Sequence, residues 1–106
     1  MNASYKFSIL SPGGKAFEGD ADYVSAPGAL GGFGVLPGHA PMIAAVQPGL
    51  CTVKTAGGDL AFYTGEGVLE VSRAEVVMLV DEAQSLENAA AVKDLVADRA
   101  RMTGTQ

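Results

Sequence analysis

Turn signals punctuate this chain more tightly than anything else in it. Pro12-Gly13-Gly14, Pro27-Gly28, Pro37-Gly38, Pro48-Gly49, Gly57-Gly58 and Gly65-Glu66-Gly67 follow one another at short intervals. Proline fixes φ and glycine supplies the positive-φ positions of a turn, so each of these steps interrupts whatever regular structure precedes it. Between them the dominant period is two. Tyr5, Phe7 and Ile9 alternate with Ser4, Lys6 and Ser8, the pattern of a strand with one buried and one wet face. Short strands between closely spaced turns predict an all-β sandwich or barrel of about eight to ten strands. Gly57-Gly58, between Cys51–Thr55 and Leu60–Thr64, is the clearest hairpin signal. The last strand predicted is Glu75–Val80. Its run Val76-Val77-Met78-Leu79-Val80 leaves no polar face, which places it centrally with cover on both sides.

After Asp81 the grammar changes. From Ser85 to about Met102 there is no glycine or proline and alanine dominates. Ser85 can cap a first turn in which Glu87 is favourable against the helix dipole. The apolar stripe Ala89, Val92, Val96 and Ala100 is narrow and short of large side chains, so a helix here docks weakly or needs another surface. The expected fold is mainly β: a β-sandwich over residues 1–83, then one C-terminal α-helix within 84–106.

Twelve acidic against seven Lys and Arg residues give a formal net charge of −5, which opposes attraction to phosphate backbones and anionic lipid. Nucleic acid and direct membrane insertion are therefore not expected. Only 18% of residues are charged, against about a quarter in average soluble domains, which leaves apolar surface for a partner. Cys51 stands alone among Leu50, Thr52 and Val53 and reads as a small buried hydrophobe. The N-terminal MNASYKFSIL has no long apolar stretch, and no apolar run approaches the ~18 residues of a membrane span. A cytosolic location follows as the expectation.

Sequence motifs for chemistry mostly fail. Gly13-Gly14-Lys15 resembles the end of a phosphate loop, but Ile9 stands where its first glycine belongs and Ala16 where a magnesium-holding hydroxyl belongs. Gly65-Glu66-Gly67 lacks the third glycine of a dinucleotide fingerprint and precedes a strand rather than a helix. One histidine and one cysteine cannot make an ordinary N/S metal site. No catalytic residue, cofactor or metal is expected. The alternative reading is a free-standing small β-barrel enzyme or ligand-binding module built on His39. It requires a deep polar pocket holding His39 together with Asp20, Asp22 or Asp59.

The densest feature is GGFGVLPGHAPMI, from Gly31 to Ile43. Its glycines allow sharp bending or close approach of a neighbour, and Phe33 among them has little local side-chain cover. Pro37 and Pro41 flank Gly38-His39-Ala40, so the loop has few conformations to lose on binding. The plain reading is a corner between two strands; the sharper one is a rigid corner that presents Phe33, His39 and Met42 to a partner.

Gly34-Val35-Leu36-Pro37-Gly38-His39-Ala40-Pro41-Met42, with Val46–Leu50 and Gly65–Val71 after it, resembles the epsilon subunit of F-type ATP synthases. The likeness runs from about Phe7 to Ala83. It implies a flattened β-sandwich on the central stalk, bound to the gamma subunit and standing on the c-ring. Such a protein is a rotor part that couples ion-driven rotation to ATP synthesis, at the cytoplasmic face of a bacterial inner membrane, with no active site of its own. By the same resemblance Gly31, Gly32 and Phe33 lie on the c-ring side, and Pro37, Gly38, His39, Ala40, Pro41 and Met42 on the gamma side. Many family members carry an acidic side chain where Gly32 stands here. Some also bind ATP through a first-helix motif of the form I/L, D, x, x, R, A. The corresponding Leu86-Glu87-Asn88-Ala89-Ala90-Ala91 has Glu87 for the aspartate and Ala90 for the arginine. No ATP binding is expected. An inhibitory role is expected to be weak or absent, since a helix of about 18 residues reaches only ~27 Å.

Overall fold

A computed structural model describes residues 4–86. Ten strands pair into a single sheet that folds over on itself into two layers: β1 (Tyr5–Ser11), β2 (Gly14–Ala21), β3 (Tyr23–Gly28), β4 (Gly31–Val35), β5 (Met42–Val46), β6 (Gly49–Thr55), β7 (Gly58–Thr64), β8 (Gly67–Val71), β9 (Glu75–Val80) and β10 (Ala83–Leu86). The hydrogen-bonded order is β10-β7-β6-β3-β5-β8-β9-β1-β2, and β4 pairs only with β3. All neighbours are antiparallel except β1 and β9. The layers are joined where β3 meets β5, at the single pair Gly28↔Val46.

Alternation decides what goes inside. Phe7 and Ile9 of β1, Val24 and Ala26 of β3, Cys51 and Val53 of β6, Leu69 and Val71 of β8, and Val76, Met78 and Val80 of β9 point into one continuous core. Phe17 of β2 links two fully packed rings, with its centroid 5.9 Å from Phe7 and 5.8 Å from Phe62, both tilted contacts. Rings at that spacing contribute beyond their buried area, so β1, β2 and β7 are tied across the layers. The β6–β7 hairpin closes at Thr55↔Gly58. Thr55 Oγ1 donates to the Gly58 carbonyl at 2.7 Å, and Gly58 takes a φ of 131° that suits glycine alone.

Three expectations need correction. β9 is central, but it is covered on one face only: Leu79 is 45% exposed while Val76, Met78 and Val80 are buried. The run of apolar residues hid the alternation, because a solvent-facing valine or leucine looks like a core residue in sequence. It is β7 that is buried residue after residue, from Ala61 to Thr64. The sheet also does not end at Val80. β10 adds an edge, pairing Ala83↔Thr64 through Leu86↔Ala61. Ser85 is thus a strand residue and no helix cap, and β10 carries the sheet to Leu86. The rest of the expected helix lies outside the described residues.

Candidate functional site

The Gly31–Ile43 segment builds two surfaces, one at each end of β4. At the near end, β3 and β4 form a hairpin with Gly28↔Gly31 as its last pair. Ala29 and Leu30 make the tip, and Gly31 has a φ of 123°. The ring of Phe33 lies over Gly28, where any Cβ would meet it at 2.7 Å. Gly34 is overlaid in the same way by the Tyr23 ring. These glycines are close-packing positions, and Phe33 is half-buried against the core rather than bare.

At the far end, Leu36–His39 is a β-turn closed by the His39 amide donating to the Leu36 carbonyl at 3.1 Å. Pro37 holds the second position and Gly38 the third with a φ of 82°, the arrangement of a type II turn. The His39 ring is exposed, and its Nδ1 bonds the Ala40 carbonyl at 2.8 Å. Met42 opens β5 and packs partly on the core. Tyr5 pins this end down: its hydroxyl donates to the Val35 carbonyl at 2.7 Å, crossing from β1 to β4. Burial holds the Tyr5 phenol well above its ordinary pKa, so it stays a donor throughout the physiological range. A strand of this length puts the Gly31 and Val35 ends roughly 13 Å apart.

A cleft of about 530 Å³ runs beside the turn, lined by Tyr5, Leu36, His39 and Pro41 and by Ser72 and Arg73 from the β8–β9 connection. None of Asp20, Asp22 and Asp59 lines it, so this cleft is not the polar pocket that an enzyme or ligand module on His39 requires. Among the described residues no group of three or more His, Cys, Asp or Glu side chains is placed to hold a metal ion. Cys51 is fully buried, and burial pushes its thiol up to about 12, which makes it a poor nucleophile.

Sequence reasoning passed over three residues of these surfaces: Leu30 is 104% exposed, Ile43 72% and Leu36 60%. Leu30 directly precedes the Gly31–Ile43 segment, and Leu36 and Ile43 lie within it. Their exposure is set by where the hairpin tip, the turn and the outer face of β5 fall, which composition does not reveal.

The family model for the ATP synthase delta/epsilon chain beta-sandwich domain matches residues 4–86, the whole of the described sandwich. The chain belongs to this family. It is 41% identical over 85 residues to ATP synthase epsilon chain 1 of Nitrobacter hamburgensis, and 42% identical over 85 residues to the ATP synthase epsilon chain of Nitrobacter winogradskyi. Each alignment covers 80% of this chain and 63% of the relative, so the chain spans less than two thirds of their length. Two solved assemblies share the fold. A chain of the Euglena gracilis mitochondrial ATP synthase OSCP/F1/c-ring structure superposes with a TM-score of 0.73 at 20% identity, over 92% of this chain and 65% of that one. A chain of the Tetrahymena thermophila mitochondrial ATP synthase central stalk and c-ring gives 0.63 at 14% identity, over 94% and 90%.

Proposed function

We propose that this protein is a rotor component of the central stalk of an F-type ATP synthase, non-catalytic itself, that binds gamma and the c-ring and helps couple ion-driven rotation to ATP synthesis. The family match across the whole sandwich, residues 4–86, carries the reading. The mechanics fit it. A part that passes torque has to resist shear, and this one is cross-tied between layers by the Phe7–Phe17–Phe62 stack and by the Tyr5–Val35 bond. The Pro37–Pro41 turn is locked by proline, glycine and its own hydrogen bond, so it loses little entropy on docking. In this reading the Pro37–Met42 end of β4 faces gamma and the Gly31–Phe33 end faces the c-ring, at the cytoplasmic side of a bacterial membrane.

Co-expression with gamma tests the proposal. The complex should survive affinity purification and gel filtration; a chain that elutes alone, under conditions where a known epsilon chain binds gamma, refutes it. The absence of an arginine at Ala90 is tested by calorimetry with ATP. No heat of binding is expected, and micromolar affinity contradicts the reading.

A further inference from the structure

Strand register decides what most cations of the sandwich meet. Lys6 and Lys15 converge on Glu18, at 3.6 and 2.9 Å, and Lys54 stands opposite Asp59 across the β6–β7 ladder. Arg73, exposed in the β8–β9 connection, has no carboxylate within ion-pair distance among the described residues. It lines the cleft of about 530 Å³ beside the Leu36–His39 turn. The other charged or titratable groups that face this cleft are His39 itself and Tyr5 of β1, while β4, β8 and β9 contribute Val35, Val71 and Val76. No Asp or Glu lines it, in a chain whose net charge is −5.

Both banks of the cleft are held by their own backbone. On one side the type II turn fixes the backbone of His39. On the other, the Ser72 amide and hydroxyl donate to the Glu75 carbonyl at 2.9 and 2.8 Å, and the same hydroxyl accepts from the Glu75 amide at 3.2 Å. That closes the connection which carries Arg73. The His39 ring also has a defined tautomer. Its Nδ1 lies 2.8 Å from the Ala40 carbonyl, and a carbonyl only accepts, so Nδ1 carries the proton. In the neutral ring Nε2 is then a bare lone pair that repels an anion. A second proton turns it into a cationic donor.

We propose that this cleft is a binding site for a small organic acid, a carboxylate on a short apolar stem, with Arg73 as its permanent cation and His39 as a second donor that engages by taking up a proton. The planar guanidinium fork matches the two oxygens of a carboxylate. The walls formed by Leu36, Pro41, Val71 and Val76 accept the stem. A phosphate fits less well, because its further oxygens and second charge face those walls without donors. Tyr5 supplies neither charge nor free donor, since its hydroxyl is already bonded to the Val35 carbonyl. The volume is that of a small-ligand site. Arg73 and His39 are both exposed, so the charge contact is screened and the affinity is of millimolar order. The site belongs to the isolated chain and does not depend on the stalk reading.

The test titrates the full chain with sodium butyrate at constant ionic strength and follows backbone and side-chain NMR shifts. Butyramide, the uncharged isostere, and chloride serve as controls. Butyrate should move the resonances of Leu36–His39 and Ser72–Arg73 together, saturating at millimolar concentration, while butyramide and chloride leave them in place. Affinity should be about fivefold or more tighter at about pH 6 than at about pH 8, because an imidazole gains its proton across that range. His39→Gln should remove the pH dependence, and Arg73→Gln should weaken binding by about fivefold or more at either pH, with Arg73→Lys between Arg73→Gln and the parent. Unchanged shifts elsewhere in the spectrum show that each variant is folded. Absence of saturation up to about 50 mM butyrate, equal binding of butyramide or chloride, an affinity that ignores Arg73→Gln, or a pH dependence that survives His39→Gln each overturns the proposal. Loss of gamma binding bears on the stalk reading alone, since gamma takes no part in this titration.

Discussion

Gly38 offers a clean measurement of how far the His39 turn is held by backbone conformation alone. Its φ of 82° is the left-handed value that the third position of a type II turn demands. A Cβ added there meets no atom within 4 Å. Gly38→Ala therefore introduces no clash, and its whole cost is the left-handed penalty of an L-residue, about 1–2 kcal/mol. Alanine also narrows the unfolded ensemble, a stabilising term that returns about 0.4–1 kcal/mol only where the native φ is compatible, which here it is not. For a domain of this size, 1 kcal/mol shifts Tm by roughly 4–8 °C. Thermal unfolding followed by circular dichroism should show Gly38→Ala lower by about that much or up to twice it. Semisynthetic Gly38→D-Ala, whose preference is mirrored, should be neutral or more stable than the parent. Gly38→Asn should fall between, because asparagine tolerates the left-handed region. If the L- and D-alanine forms lose the same stability, the loss comes from packing and the backbone argument is wrong.

Further outcomes follow from individual contacts. Tyr5→Phe removes only the hydroxyl that holds the Val35 carbonyl; chemical denaturation should show a loss of about 0.5–1.5 kcal/mol. Gly67→Ala drives a Cβ into the Leu79 carbonyl and to 2.7 Å from the Val80 Cα, so β8 and β9 must separate. The expected loss is at least about 1–3 kcal/mol, with the β8–β9 amides losing hydrogen-exchange protection first. Cys51 should be silent to a thiol reagent in the native protein and react in denaturant. Its pKa rises on folding from 9.0 to about 12, so the folded form holds the proton more tightly. The associated stability is complete below pH 9 and is lost as pH rises toward 12.

Much of this architecture is written in turn chemistry and alternation. The hairpin at Gly57-Gly58, the strand Tyr5–Ile9 and the buried Cys51 lie where the local pattern puts them, because each rests on steric rules that act within a few residues. β10 was not legible. Ala83-Gln84-Ser85-Leu86 has no strong alternation and runs into an alanine-rich segment, and it is a strand because β7 offers an open edge. β9 misled for the opposite reason: its outward valine and leucine imitate core residues, and only the layer arrangement exposes them. The two ends of β4 were half visible. The Pro-Gly-His turn announces itself, whereas the exposure of Leu30 depends on β4 being hung from β3 alone.

The central claim is that the two ends of β4 meet two different neighbours. Single cysteines introduced as Leu30→Cys and His39→Cys, each carrying a short photo-activated cross-linker in the assembled enzyme, decide it, since Cys51 is buried and adds no background. The account predicts a product with c from position 30 and a product with gamma from position 39. Both positions captured by the same subunit, or position 39 captured by c, contradicts it.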